Sequence, residues 1–154
     1  MSADVRLLDA PIDPATELAR FATAHPQAGG IASFIGQVRA ESGEAAVLEL
    51  ELTHYPPLTL PGMQALADEA RNRWPLDGLL VIHRTGSLGP GAPIVLVAAA
   101  ARHRRRSSAD RSDPGPDATQ LGMYVASLLH GHAEAVIERG AGERESCRQF
   151  LGLD

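Results

Sequence analysis

The sequence predicts a single domain of the α/β or α+β class, because of its length and of two kinds of repeating pattern. The chain has 154 residues, which suits one compact domain. Runs of strand length, either apolar or alternating between apolar and polar residues, recur through the first two thirds of the chain. Stretches with helical signals lie between those runs. This alternation indicates helices packed on a sheet.

The N-terminal part begins with a predicted strand over residues 5–12. Asp13 then suits a helix N-cap and the proline after it suits the first helical position, so a short helix should end near Ala24. Residues 31–39 form the next predicted strand, since their alternate positions define two faces of an extended chain. Arg39 therefore lies at the end of a strand.

A turn or mobile loop is predicted over residues 40–45, and a half-exposed strand over residues 47–54. Leucines should define the buried face of that strand: Leu48, Leu50 and Leu52. A helix is predicted from Leu60 to Trp74 because apolar residues recur there at helical spacing. One face of this helix should pack on the sheet.

Two near-continuous apolar runs, residues 78–83 and 93–101, follow this helix. Runs of this length without alternation are typical of strands covered on both faces. Gly89-Pro90-Gly91 between them is a turn signal. These two strands should form the centre of the sheet.

The character of the chain changes after Arg104. Residues 105–118 contain no apolar side chain larger than alanine and include Pro114-Gly115-Pro116, so we expect a flexible linker. A helix is predicted for residues 118–139 from apolar spacing, followed by a frayed end. The predicted division is a domain at 1–104, a linker at 105–118, and a divergent helix and tail at 119–154.

Composition excludes several classes of function. No apolar run approaches the roughly 20 residues that span a bilayer. A net charge of −5 argues against general nucleic-acid binding. The N-terminus lacks the apolar core of a secretory signal, and one cysteine, Cys147, cannot form an internal disulfide, so we expect a cytoplasmic protein. We predict no cofactor and no metal site; His130 and His132 would diverge by about 200° on a helix.

All 14 basic residues other than histidine are arginines, and the chain contains no lysine. Arginine stays protonated above about pH 12, so it binds anions but does not serve readily as a base or an amine nucleophile. This chain alone therefore cannot carry out a reaction that requires a lysine side chain.

The strongest candidate site is a basic one. Arg39 ends one predicted strand, and His103 and Arg104 follow the longest apolar strand. If these strand ends lie close together, two guanidinium groups and an imidazole suit a phosphate or a carboxylate. The alternative, a solvated basic run over residues 102–106, is favoured by spacing alone.

Several segments, weak one by one but specific in their order and spacing, resemble one known family over residues 29–104. In chain order they are ASFIGQVR at 32–39, LELELTHYP at 48–56, EARNRWPL at 69–76, VIHRTGSL at 81–88, Pro90-Gly91 and His103-Arg104. The family is the large, catalytic subunit of molybdopterin synthase. The resemblance implies an α+β fold of the α/β hammerhead type, with a mixed, largely antiparallel sheet and packed helices.

The resemblance also implies an activity: building the dithiolene of molybdopterin from cyclic pyranopterin monophosphate. Sulfur would come from the C-terminal thiocarboxylate of a small ubiquitin-like subunit, and two large subunits would form a homodimer within a heterotetramer. By the same resemblance, six residues bind the substrate: Phe34, Gln37, Val38, Arg39, His103 and Arg104.

The chain departs from the family pattern after Arg104, where the family carries its lysines. No catalytic residue can therefore be assigned. One hypothesis is that the C-terminal third is a replaced or frame-shifted version of the ancestral end. A second candidate function is a non-catalytic module that binds the pterin or the partner. A small anion-binding protein unrelated to cofactor synthesis is disfavoured by the ordered segments.

The remaining candidates have plainer explanations. Gly36 fits either a close backbone approach or a structural role, as a bulge or a crowded packing site. His54 should be a hydrogen-bonded packing histidine, and His83-Arg84 fits either fold support or a subunit contact. Cys147 has no basic partner nearby in sequence and Ser107-Ser108 lacks a nucleophile elbow, so neither suggests a nucleophile.

Overall fold

The computed structural model of the chain describes residues 3–42, 45–54, 56–102 and 135–137. The strands are β1 Asp4–Leu8, β2 Gly30–Gln37, β3 Glu41–Ser42, β4 Ala45–Ala46, β5 Leu50–Leu52, β6 Gly78–Arg84, β7 Gly86–Leu88, β8 Pro93–Ala101 and β9 Ala135–Ile137. The helices are α1 Pro14–Ala24 and α2 Pro56–Arg73. The α+β class is confirmed.

The main sheet has four strands in the order β1-β6-β8-β2. β1 runs parallel to β6, while β6 with β8 and β8 with β2 are antiparallel pairs. A second sheet has the order β7-β5-β9, and β3 with β4 forms a short hairpin. The predicted mixed, largely antiparallel arrangement is thus present.

Helix α1 begins where its sequence predicts. The Asp13 side chain accepts a hydrogen bond from the backbone N–H of Thr16 (3.3 Å) and another from the Thr16 hydroxyl (2.7 Å). Both bonds favour the carboxylate and lower the pKa of Asp13. Pro14 follows as the first helical residue, where no N–H is needed.

Each face of the main sheet is covered by one helix. One cluster joins α2, through Met63, Ala67 and Ala70, to the face of the sheet that carries Val81 and Val97. The opposite cluster places Phe21 of α1 over the face with the side chains Leu80, Ile82, Leu96, Ala98 and Ala100. Because β6 and β8 are covered on both faces, their near-continuous apolar sequences are explained.

A third cluster connects the two sheets. Its buried members are Val38, Val47, Leu50, Leu52, Leu88 and Ile94. The chain just after β2 is anchored in this cluster by Val38, which is 2% exposed. The position of Arg39 is therefore set by the packing between the two sheets.

Several predicted boundaries were wrong. The first strand ends at Leu8 rather than at residue 12. The Leu8 carbonyl accepts a hydrogen bond from Thr85 N (2.7 Å), and the chain then leaves the sheet and packs Ile12 in the core. Helix α2 starts at Pro56 rather than Leu60, since prolines are tolerated in a first helical turn.

Residues 41–42 pair with residues 45–46 in the β3–β4 hairpin, next to a hydrogen bond from Val47 N to Ala40 O (2.9 Å), and this pairing fits the turn or loop predicted over residues 40–45. Two predictions around the second sheet failed. The strand predicted at 47–54 shortens to β5, because its partner β7 has only three residues, and Leu48 is 68% exposed. Residues 135–137, predicted as helix, form β9 because the free side of β5 offers backbone partners. The linker and the rest of the tail lie outside the described residues.

Candidate functional site

The end of β2 is held by backbone bonds to the turn before β8. Val38 N donates to Ala92 O (3.0 Å), and Gly91 N donates to Val38 O (2.8 Å). Gly91 has φ +80°, which a residue with a Cβ rarely adopts. Arg39, the residue after Val38, is exposed to solvent, and so is Gln37, the last residue of β2. The side chain of Val38, in contrast, is buried in the core.

Gly36 and Phe34 are placed by packing against β8. A Cβ on Gly36 would lie 2.8 Å from Cγ1 of Val95 and 3.6 Å from the Phe34 ring. Of the two explanations for Gly36, the crowded packing site is therefore supported. Phe34 is half-buried against the cluster that α2 covers. A one-residue register shift between Gly36 and Gln37 turns the strand end.

The register of β2 and β8 decides which ends of the two strands lie close together. Gly30 faces Ala101, and Gln37 faces Pro93. These two pairs are seven residue steps apart, or about 23 Å along the strands. Arg39 follows one end of this ladder, whereas Ala101 leads into His103 and Arg104 at the other end. Because the two strands are antiparallel, Arg39 and Arg102, the last described residue before His103, follow opposite ends of the strand pair. That the six residues form one site stays a prediction.

The end of β8 is held by contacts with residues that were not predicted from the sequence. Asp77 N donates to Ala100 O (2.8 Å), and its Oδ1 lies 3.4 Å from Nε of Arg102. From the other side, Gly29 N donates to Ala101 O (2.9 Å). Asp77 and Arg102 are far apart in sequence, and no local pattern marks them as a pair. His103 and Arg104 lie outside the described residues.

A separate charged cluster lies between α1 and β1. Both terminal nitrogens of Arg6 donate hydrogen bonds to the carboxylate oxygens of Glu17, at 3.2 and 2.6 Å. The hydrogen bond from Arg6 lowers the pKa of Glu17, and the same bond raises the pKa of Arg6. These residues line a cavity of about 600 Å³, together with Arg20, His25 and others. Because the Arg6 guanidinium group is paired with Glu17, it is not available to an anion in this cavity.

The other candidate residues are placed as follows. His54 is exposed, so the prediction of a packing histidine was wrong; β5 ends at Leu52 and leaves it in a loop. His83 is 3% exposed, and Arg84 donates to Ser87 O (3.1 Å), which supports a role in the fold. Residues 107, 108, 130, 132 and 147 lie outside the described residues.

Within the parts of the chain that the structure describes, no three histidine, cysteine or acidic side chains are grouped so that they could hold a metal ion. Neither described helix is long and apolar enough to cross a membrane. The predictions of no metal and no cofactor remain predictions.

Comparison with known proteins decides the family. The model of the MoaE protein family matches residues 7–111. The chain belongs to the MoaE protein family. The match confirms the resemblance seen over residues 29–104 and extends it on both sides, and it spans all six residues predicted to bind substrate.

One similar relative is the molybdopterin synthase catalytic subunit of Ralstonia nicotianae, which is 44% identical over 100 residues. Those residues are 65% of this chain but 57% of the relative, so the chain matches little more than half the length of that relative.

Two solved structures have the same fold. Molybdopterin cofactor biosynthesis protein E from Burkholderia multivorans has a TM-score of 0.67 at 28% identity, over 99% of this chain and 97% of that one. The complex of subunits 1 and 2 of molybdopterin-converting factor from Helicobacter pylori contains a chain with a TM-score of 0.65. At 15% identity, over 94% of this chain and 90% of that one, the latter supports the fold alone.

Proposed function

We propose that this protein is the catalytic subunit of a molybdopterin synthase, which transfers sulfur from a thiocarboxylated small subunit to cyclic pyranopterin monophosphate. The observation that carries the proposal is the family match over residues 7–111, which includes every predicted site residue. The named relative at 44% identity supports it. The predicted cytoplasmic location stays a prediction.

The proposed substrate suits the residues available. A monophosphate is bound well by arginine, whose guanidinium group makes paired, charge-assisted hydrogen bonds to phosphate oxygens. Arg39 is exposed at a strand end whose backbone is fixed on both sides, so it can meet a ligand from solvent. Gln37, two residues before Arg39, is also exposed. The side chain of Val38 is buried and anchors the end of the strand in the core.

Arg39 alone makes an incomplete site, and we propose that a second copy of the chain completes it. β2 is an edge strand of the main sheet as far as the chain is described. Edge strands are usually protected from pairing by charged side chains. The opposite edge, β1, has Asp4 and Arg6, whereas no aspartate, glutamate, lysine or arginine lies between Arg20 and Arg39. Ile31 and Ile35 of β2 are also 40% and 38% exposed.

Antiparallel pairing of two β2 strands around a two-fold axis would bring the separated groups together. The Gln37 end of one β2 would lie beside the Gly30 end of the other, whose neighbour is the end of β8. Arg39 would then be two strand spacings, about 10 Å, from the strand that leads into His103 and Arg104 of the second copy. This compares with about 23 Å within one chain.

The test is the conversion of cyclic pyranopterin monophosphate to molybdopterin by the purified protein with a thiocarboxylated small subunit. We expect product, and we expect Arg39→Gln to reduce its formation by about tenfold or more, as for loss of a phosphate contact worth at least 1.4 kcal/mol. Arg73→Gln, an exposed arginine on α2, is the matched control and should be unaffected. Substrate binding without product would contradict catalysis and favour a non-catalytic binding module.

A further inference from the structure

The turn between β7 and β8 has the features of a type II β-turn. Ala92 N donates to Gly89 O (3.1 Å), so residues 89–92 form a turn closed by its first-to-fourth hydrogen bond. Pro90 occupies the second position, and Gly91, with φ +80°, occupies the third. A type II turn favours proline at the second position and needs a positive φ at the third, which glycine adopts at no steric cost. The turn therefore depends on Gly91.

This turn holds the residue that precedes Arg39. Gly91 N donates to Val38 O (2.8 Å), and Ala92 O accepts a hydrogen bond from Val38 N (3.0 Å). Both backbone polar groups of Val38 are thus bonded to the turn. The side chain of Val38 is buried in the cluster that joins the two sheets. The position of Val38 is therefore fixed by its backbone and by its side chain.

The residue that follows Arg39 is held as well. Ala40 O accepts a hydrogen bond from Val47 N (2.9 Å), and Val47 is buried in the same cluster as Val38. Arg39 is thus an exposed residue whose two chain neighbours are both anchored. A side chain that extends from a fixed backbone loses less conformational freedom when it binds a ligand, and this preorganisation increases affinity.

Among these anchors, the hydrogen bond from Gly91 depends on the type of residue. Apart from its chain neighbours, no atom of the described residues lies within 4 Å of a Cβ added to Gly91, so alanine would be disfavoured there by the positive φ alone. Rotation about the N–Cα bond of residue 91 would relieve that strain. The same rotation would move its N–H away from Val38 O.

We propose that Gly91 is a positioning residue for the substrate site. Through its hydrogen bond to Val38 it fixes the place from which the Arg39 guanidinium group reaches the substrate phosphate, and it acts on the substrate only through Arg39. The inference rests on the proposed function, because it needs Arg39 to bind the substrate.

The experiment measures the affinity of the full chain for cyclic pyranopterin monophosphate by calorimetry, together with the urea midpoint of unfolding. Gly91→Ala should weaken binding by about threefold to tenfold, up to the effect of losing the Arg39 contact itself. Gly91→Asn should bind with intermediate affinity, since asparagine adopts a positive φ more readily than alanine does.

Gly86→Ala is the matched control. Gly86 also has a positive φ (+91°) and no described atom within 4 Å of an added Cβ apart from its chain neighbours, but it pairs with Leu52 in the second sheet. Gly86→Ala and Gly91→Ala should lower the urea midpoint by similar amounts, because both place alanine at a positive φ. Gly86→Ala should nevertheless bind the substrate as the wild type does. The same loss of affinity in both variants would overturn the inference.

A double variant distinguishes positioning of Arg39 from a general loss of structure. In a chain that already carries Arg39→Gln, Gly91→Ala should weaken binding no further, because the side chain through which it acts is gone. An undiminished further loss would overturn the inference. Should Gly91→Ala fail to fold, Gly91→Asn is compared with Gly86→Asn: weaker binding by Gly91→Asn alone supports the inference, and equal affinities overturn it.

Arg39→Gln separates failure of the inference from failure of the proposed function. If Arg39→Gln weakens binding while Gly91→Ala binds as the wild type does, the positioning role is wrong and the proposed function stands. If Arg39→Gln binds as the wild type does, the Arg39 contact of the proposed function and the inference are both wrong.

Discussion

Individual residues at the end of β2 are placed by contacts that the sequence shows only in part. The position of Arg39 at a strand end could be predicted, because alternation identifies the strand. The burial of Val38 could not, since the cluster around it is assembled from four separate segments. The Asp77–Arg102 ion pair could not be predicted either, because nothing in the local sequence around each residue specifies which strands become neighbours.

Gly36 gives a direct test of packing at the residue scale. Gly36→Ala should lower the free energy of unfolding by about 1–3 kcal/mol, because its Cβ would press on Val95 in a filled core. Urea denaturation measures the change. Gly62→Ala is the matched control. Apart from its chain neighbours and the backbone of its own helix, no atom of the described residues lies within 4 Å of the added Cβ, and alanine in a helix should stabilise by about 0.5–1 kcal/mol. Equal stability of Gly36→Ala and the wild type would refute the crowding.

Glu17 gives a pH-dependent test. Its pKa is lowered in the folded state, chiefly by the hydrogen bond from Arg6, relative to an ordinary value of 4.5. The resulting stability is present above pH 4.5 and is lost as the pH falls through the folded-state pKa. Glu17→Gln should therefore be less stable than the wild type at pH 7, with a smaller loss on acidification. Parallel stability curves from pH 7 to pH 3 would contradict this.

At the scale of elements, apolar content correctly predicted the two central strands of the main sheet, but it did not predict the strands of the second sheet. The two continuous runs became β6 and β8 because both of their faces are covered. The second sheet was misjudged because its strands are short and depend on partners distant in sequence. Residues 135–137, which fall within the helix predicted over residues 118–139, form β9 instead, because the open side of β5 provides backbone hydrogen-bond partners.

β2 makes a testable prediction as an element. Ser33 is exposed near the middle of this uncharged edge, so Ser33→Arg would place two like charges close together in a two-fold pair. We expect the dimer to weaken by about fivefold to tenfold in sedimentation equilibrium. Gln64→Arg on the exposed face of α2 is the matched control and should leave association unchanged. A Ser33→Arg dimer as tight as the wild type would place the interface elsewhere.

At the scale of the whole molecule, Arg39 follows one end of the β2–β8 pair, whereas Arg102, the last described residue before His103 and Arg104, follows the other end. The family and the basic residues could be predicted from ordered segments in the sequence. Their separation could not, because it depends on whether β2 and β8 run parallel or antiparallel, which neither strand specifies alone. The proposed site, shared between two copies, would bring the predicted residues together despite the antiparallel register.

Complementation between two defective variants tests this shared site most directly. Arg39→Gln and Arg104→Gln should each keep about a tenth of the wild-type activity or less when alone. When the two variants are co-expressed and the mixed dimers are assayed for molybdopterin formation, half of the dimers should contain both variants. In those, one of two sites has both arginines, so about one quarter of wild-type activity should return. Activity no higher than that of either variant alone would contradict a site built from two copies.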